Sequence, residues 1–218
     1  RLPILSKKDF DAEKPETYID ARLSTISFRE QTSGSTARPF AFYHDRGYEL
    51  RSFAVCERMF RCIGGKTRPP VISVRTRERR GFATTHSSFF HAQSASTLRH
   101  RMPELVRLIY SWRRPVIVFG FSSWIEELAR LVQGRETPLP IQGILAAGEA
   151  LSAEQRAQIE GAFRAPVYMY YAMSELGRLA FECEQRQLHV NEEWVYLEVV
   201  DDEGRPLSPG TEGRLVAT

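Results

Sequence analysis

The chain has 218 residues, 42% of them apolar, which is enough to bury a core in one large or two small domains and excludes a disordered chain. Thirty Lys plus Arg against 27 Asp plus Glu leave a net charge of +3, so nothing calls for a nucleic-acid partner, and the basic run RTRERR (Arg75 to Arg80), interrupted by Glu78, reads as solvated surface. Cys56, Cys62 and Cys183 form no CxxC pair, no apolar run approaches a bilayer span and no signal-peptide pattern opens the chain, so a soluble cytoplasmic protein with no membrane partner is expected.

Taken in chain order, the pattern alternates strands and helices. Segments Ser24 to Gln31 and Phe40 to His44 read as the two strands of a hairpin around the loop Thr32-Ser33-Gly34-Ser35-Thr36. From Tyr48 to Ile63 the residues Leu50, Phe53, Ala54, Met59 and Phe60 follow helical spacing, and Gly64-Gly65 supply a stop. PVISV (Pro70 to Val74) and GFATT (Gly81 to Thr85) are strand-like, and ELVRLIYSW (Glu104 to Trp112) is helical. PVIVFG is a buried strand, followed by the helix SWIEELARLV with Ser122 or Ser123 as its start. IQGILAAG (Ile141 to Gly148) is the next strand, Ser152 caps a helix with Gln155 at the capping-box position, and PVYMYY is another strand. This succession predicts parallel βαβ units with right-handed crossovers. The chain then changes character: WVYLEVVD alternates, DEGRPLSPGTEG is turn chemistry and GRLVAT reads as a strand, so a separate antiparallel sheet is expected there. The chain begins without Met and closes on that strand-like run, which reads as a stretch of something longer.

Three places carry candidate chemistry. The loop Thr32 to Thr36 gathers four hydroxyls around Gly34, which permits close backbone approach, and this is the chemistry of a phosphate cradle; a solvent-exposed hairpin tip is the alternative. In open α/β sheets ligands sit beyond the carboxyl ends of the strands, which draws attention to Gly148 and Glu149 and to Tyr170-Tyr171 with Ser174 and Glu175. An aromatic face beside a hydroxyl and a carboxylate suits a purine, a phosphate and its metal; a helix capped by Ser174 above two core tyrosines is the alternative. No GxxxxGK[ST] or GxGxxG motif occurs at a strand-to-helix junction, which removes the ordinary P-loop and dinucleotide folds. Cys183, Glu184 and His189, with Cys56 or Cys62, are a weaker zinc candidate of irregular spacing, and His86 and His91 have no Ser and Asp partners to read.

These residues resemble the adenylate-forming ligase superfamily, most closely its phenylacetate-coenzyme A ligase branch. The resemblance runs in order along the chain: LPILSKKDF is similar to that branch's opening segment, TSGSTARP to its TSGSTGKP phosphate loop, FGFSSWIEELARLV to its acyl-pocket strand and helix, and AAGEALSAEQRAQIEGAF to its GGE-PLS segment. VYMYYAMSELG resembles the Tyr-Gly-x-Thr-Glu motif, and the stretch from Leu188 to Thr218 resembles the one that precedes the family's TGD aspartate. The resemblance implies an α/β fold, part of the large N-terminal adenylation domain, with residues 1–180 mainly α/β and carrying the phosphate-loop hairpin, and 181–218 an antiparallel β segment.

It further implies ATP-dependent activation of a carboxylic acid to acyl-AMP, assisted by Mg²⁺, and transfer of the acyl group to coenzyme A or a carrier thiol. Thr32, Ser33, Gly34, Ser35 and Thr36 would wrap the β- and γ-phosphates, Tyr171 would lie against adenine, Gly148 and Glu149 would line the nucleotide pocket, Ser174 would contact the α-phosphate and Glu175 would hold Mg²⁺. Phe89, Phe90, Phe119, Phe121 and Trp124 point to an aromatic or apolar acid, or else are core. Ala37 and Arg38 stand where the family has Gly and Lys, and Ala172 where it has Gly; a Cβ there restricts positive φ, while Arg38 keeps the charge in another shape. In such enzymes the ribose-binding Asp and the mobile C-terminal domain with its catalytic Lys lie beyond the position of Thr218, so this stretch alone is expected to be inactive. The second reading is a non-catalytic nucleotide- or acyl-binding module derived from the same scaffold.

Overall fold

Apolar strands of 5 to 7 residues separated by helices of 11 to 17 residues bury both faces only as a parallel sheet under helices, and this is what the chain builds from β3 (Val71–Arg75), β4 (Ser87–His91), α2 (Ala95–Ser111), β5 (Val116–Phe121), α3 (Ser122–Val132), β6 (Ile141–Ala147), α4 (Ala153–Phe163) and β7 (Val167–Met173). Before them come the hairpin β1 (Ser27–Gln31) and β2 (Ala41–Asp45) and the helix α1 (Arg46–Gly64); after them come β8 (Gly177–Glu182), β9 (Leu188–Val190), β10 (Leu197–Val200) and β11 (Arg214–Ala217). The computed structural model describes residues 3–10, 22, 27–32, 40–64, 69–75, 87–91, 95–112 and 114–218.

The large sheet has strand order β4-β3-β5-β6-β7-β8-β9, with the β4-β3, β3-β5, β5-β6 and β6-β7 pairs all parallel. A three-residue connection between β7 and β8 is too short for a crossover, so the sheet turns back on itself at that point. Two compact units result: residues 1–55, 173–179 and 190–218 form one, and 56–172 with 180–189 form the other. The core of the second unit is a continuous cluster of Ile72, Val118, Ile144 and Val167 from the sheet with Leu98, Leu105, Ile109, Ile125, Leu128 and Ile159 from the covering helices. The first unit holds the β1-β2 hairpin and the separate antiparallel pair β10-β11. The mixed α/β class and the separate antiparallel strands agree with the sequence expectation. Among the described residues no helix is long and apolar enough to cross a membrane.

Several local expectations change. The stripe of α1 that goes inside is Ser52, Val55 and Met59, whereas Leu50, Phe53 and Ala54 lie on its exposed side. Met59 of the helically spaced apolar set is buried, and the rest of the buried face comes from Val55 and from Ser52, whose hydroxyl accepts from Arg178 at 2.6 Å. Helix α2 begins at Ala95 and runs through Pro103, nine residues before the start of the predicted segment. The loss of one backbone donor at Pro103 is outweighed by Leu98 and Met102, which extend the buried face of Leu105 and Ile109 back through the proline. GFATT falls outside the described residues, and the strand of that region is Ser87–His91. Helix α3 does start at Ser122, with Phe121 at the N-cap position and no side-chain cap bond from it. Ser152 and Gln155 do form the reciprocal capping box expected of α4.

Candidate functional site

The parallel register brings Phe121, Ala147 and Tyr170 side by side at the carboxyl edge of β5, β6 and β7, so the residues that follow them emerge on one rim. Gly148 comes first after β6. Its φ is +76°, and a Cβ placed on it would stand 2.3 Å from the Phe121 ring, so only glycine fits without moving that ring. This close approach turns the chain so that Glu149 reaches the open start of α3. The Ser123 backbone N–H donates to Glu149 Oε2 at 2.8 Å, the Ser123 hydroxyl donates to Oε1 at 3.1 Å, and the Ser122 hydroxyl donates to the Glu149 carbonyl at 3.1 Å. The carboxylate therefore does the work of the missing N-cap, accepting a free N–H at the positive end of the helix.

Aromatic groups crowd the same rim. Phe119 and Tyr170 lie 5.5 Å apart between centroids, while Phe121 and Tyr171 remain 43% and 44% exposed, so flat apolar surface is available there. Trp124 packs instead against the core cluster, and the side chains of Phe89 and Phe90 lie outside the described residues. A cavity of about 490 Å³ between the loop Gln133 to Leu139 and the last turns of α3 and α4 opens at the opposite, amino edge of the sheet and belongs to none of this.

The first unit contains the other candidates. Of the phosphate-loop residues, Thr32 is described; Ser33, Gly34, Ser35 and Thr36, with the altered Ala37 and Arg38, lie outside the described residues. Thr32 closes the mouth of the hairpin twice, its backbone N–H donating to the Phe40 carbonyl and its hydroxyl oxygen accepting from the Phe40 N–H, both at 2.9 Å. Ser174 and Glu175 are in the tight turn between β7 and β8, so the alternative of a helix capped by Ser174 is overturned: the chain enters a strand three residues later.

That turn is fastened by rings, His44 buried and Tyr48 and Trp194 half-buried. His44 Nε2 meets the Glu175 carbonyl at 2.9 Å, the Trp194 indole N–H donates to the Leu176 carbonyl at 2.6 Å, and Gly177, at φ +78°, lies where a Cβ would be 2.6 Å from the Tyr48 hydroxyl. The Glu175 side chain, its backbone thus fixed, pairs with Lys7, whose Nζ lies 2.6 Å from Oε1. Lys7 also stands 5.7 Å above the Phe40 ring, the residue that holds Thr32. Its own 3-10 turn is set by a capping box in which Ser6 N–H and hydroxyl donate to Asp9 at 2.6 and 2.8 Å, holding the Asp9 carboxyl below its ordinary value. Thr32, Phe40, Lys7 and Glu175 thus form one line of contacts, which joins the mouth of the hydroxyl-rich loop to the carboxylate expected to hold a metal. Sequence reading missed Lys7 and His44 because both reach Glu175 across more than a hundred residues.

Among the described residues, the one group of three side chains whose metal-ligating atoms lie within 4.8 Å of one another is Glu30, His44 and Glu49; Cys56, Cys62, Cys183, Glu184 and His189 are not in it, and the three cysteines form no disulfide.

No family model matches the chain, and no curated protein sequence matches it either. Solved structures do. A 2-hydroxyisobutyryl-CoA ligase, solved in an open conformation with 2-HIB-AMP and CoA, is similar over 100% of this chain and 51% of its own length, with a TM-score of 0.76 and 20% identity. An anthranilate CoA ligase, AuaEII, in complex with anthranoyl-AMP, is similar over 87% of this chain and 38% of its own, with a TM-score of 0.66 and 15% identity. A benzoate CoA ligase from Burkholderia xenovorans LB400 is similar over 82% and 38%, with a TM-score of 0.61 and 14% identity. The chain spans about half or less of the length of these ligases and has the fold of the corresponding part of them.

Proposed function

We propose that the chain is part of an ATP-dependent ligase of the phenylacetate-coenzyme A ligase type, which converts a carboxylic acid to acyl-AMP and passes the acyl group to coenzyme A or a carrier thiol. The observation that carries this reading is the likeness, across the whole chain, to a ligase whose structure holds an acyl-AMP and CoA. The line of contacts from Thr32 to Glu175 supports it, because a phosphate loop and a metal-binding carboxylate serve one reaction only if the chain links them.

In this reading Thr32, Ser33, Gly34, Ser35 and Thr36 hold the terminal phosphates, Gly148 and Glu149 border the nucleotide, Tyr171 offers its exposed ring to adenine, and Ser174 bonds the α-phosphate. Glu175 holds Mg²⁺. The donor fits: it is a hard carboxylate oxygen on a fixed turn, and its present partner, the Lys7 ammonium, is itself a cation. When bound, the metal neutralises charge on the phosphates. The chain's own residues orient ATP so that the acid's carboxylate meets the α-phosphorus in line with departing pyrophosphate, a contribution of position and electrostatics. Exposed Phe121 and Tyr171 favour an aromatic or apolar acid.

The test is pyrophosphate release by the full-length protein over a panel of carboxylic acids, aromatic ones included, as wild type and as Glu175→Gln. The variant is expected to lose tenfold or more in rate, or to need correspondingly more Mg²⁺, since a hydrogen bond or contact to a charged group contributes about 1.5–3 kcal/mol. Because the turn is held through the backbone carbonyls of Glu175 and Leu176, the melting temperature should scarcely change. No release with any acid, alongside retained ATP binding, would favour the non-catalytic binding module, which Ala37, Arg38 and Ala172 motivate.

A further inference from the structure

The hairpin and the start of α1 hold a second cluster that the proposed ligase chemistry does not use. Glu30 lies on β1 and pairs in register with Phe42 on β2; His44, two residues further along β2, is on the same face as Phe42 and is a diagonal neighbour of Glu30. Glu49 comes from the first turn of α1, which follows β2 without a loop and is capped by Asp45, whose Oδ1 accepts from the Tyr48 N–H at 2.6 Å. A strand, its partner and the adjoining helix thus deliver one imidazole nitrogen and two carboxylates to one place, all within 4.8 Å of one another.

The state of His44 is what distinguishes this cluster from acidic residues meeting by chance. His44 is 4% exposed, and its ring is clamped between Tyr48, stacked at 3.5 Å between centroids, and Phe42 at 4.9 Å. Its Nε2 faces a backbone carbonyl, which only accepts, so Nε2 carries the proton. In the neutral ring this leaves the lone pair on Nδ1, and Nδ1 is buried with no hydrogen-bond partner among the described residues. An unpartnered buried acceptor is costly. A metal-ligating histidine has this arrangement as a rule: one nitrogen to the metal, the other N–H donated to a carbonyl that fixes the tautomer.

We propose that Glu30, His44 and Glu49 bind a divalent transition metal of the zinc class, through His44 Nδ1 and one oxygen of each carboxylate, with a fourth position left to water. One imidazole and two carboxylates suit Zn²⁺ and its neighbours, which such ligands hold at about 2.0–2.2 Å. The ion ties β1, β2 and α1 together two residues before Thr32, which makes it a clasp at the base of the hydroxyl-rich loop, separate from any magnesium that Glu175 holds.

The experiment is calorimetric titration of the chelator-stripped chain with Zn²⁺, repeated for Glu30→Gln, Glu49→Gln and His44→Gln, with Co²⁺ as a spectroscopic probe. The expected result is one equivalent bound, a Co²⁺ visible spectrum of nitrogen and oxygen ligation without a thiolate charge-transfer band, and a loss of about tenfold or more in affinity for each glutamate variant. His44 is buried, so if His44→Gln does not fold, the two glutamate variants decide the matter. Absence of Zn²⁺ binding at micromolar concentration overturns the site. So does binding that survives both glutamate substitutions and disappears when the cysteines are alkylated, because the ion then belongs to the thiols.

Discussion

The carboxyl edge of the parallel sheet and the turn that carries Glu175 face the same task, placing a carboxylate just beyond the end of a strand, and they do it by different means. Glu149 follows β6, and its partners are Ser122 and Ser123, which open the helix after the adjacent strand β5. Adjacent parallel strands put the end of one beside the start of the next helix, so topology alone supplies the contact. Glu175 follows β7 but owes its position to His44, 131 residues away, to Trp194 and to Lys7. The first carboxylate is a product of the fold's regular part. The second is held by particular side chains that the regular part does not dictate, and it is the one whose charge is answered by an exposed, exchangeable lysine.

The comparison is broken most forcefully by attacking the sheet itself. Arg156 on α4 places Nη2 2.8 and 3.0 Å from the two oxygens of Glu182 on β8, and Glu182 also accepts from the Met169 N–H on β7 at 2.9 Å. The pair is mostly buried, at 20% and 10% exposure, so Arg156→Ala leaves a carboxylate with one partner gone and is expected to cost about 3 kcal/mol. Urea unfolding measures it; a loss below about 1 kcal/mol would mean that packing, not the ion pair, joins α4 to β7 and β8.

A smaller effect is expected of Gly148→Ala. Alanine at φ +76° costs about 1–2 kcal/mol in backbone strain, and the Phe121 ring must swing out of the way of the new Cβ. Since Phe121 is part-exposed it has room to move, so the total should stay near 2 kcal/mol. The shift should also loosen Glu149 from the start of α3, visible as faster amide exchange at Ser123. Unchanged exchange there would separate Gly148 from the positioning of Glu149.

What was legible in the sequence follows the same division. The strands Val116–Phe121, Ile141–Ala147 and Val167–Met173, the box at Ser152 and Gln155 and the parallel order of the sheet rest on local periodicity and turn chemistry, and these survive. Apolar spacing did not show that Ser52 goes inside to meet Arg178, nor that the N–H at the start of α3 is accepted by Glu149, which follows β6. Both depend on a polar partner distant in the chain, to which an apolar-spacing argument is blind. The same blindness hid His44 and Lys7, which are ordinary residues in their own segments and acquire meaning only against Glu175.

Lys7 offers the finest test of the comparison. Its ammonium is 2.6 Å from Glu175 Oε1, but the lysine side chain is 56% exposed, so the pair adds a few tenths of a kcal/mol to stability at most. Lys7→Met keeps an unbranched side chain of similar length and removes the charge above Phe40; the melting temperature should stay within a degree or two of wild type. The functional consequence has the opposite sign. If Glu175 holds the magnesium of ATP, Lys7 competes with that ion for the same oxygen, and its removal lowers the Mg²⁺ concentration that half-saturates pyrophosphate release by about two- to threefold, the equivalent of an exposed ion pair. A raised requirement would instead make Lys7 a partner of the phosphates. No change at all would mean that the carboxylate in the turn is free of the metal, and that the resemblance between the two strand ends stops at their geometry.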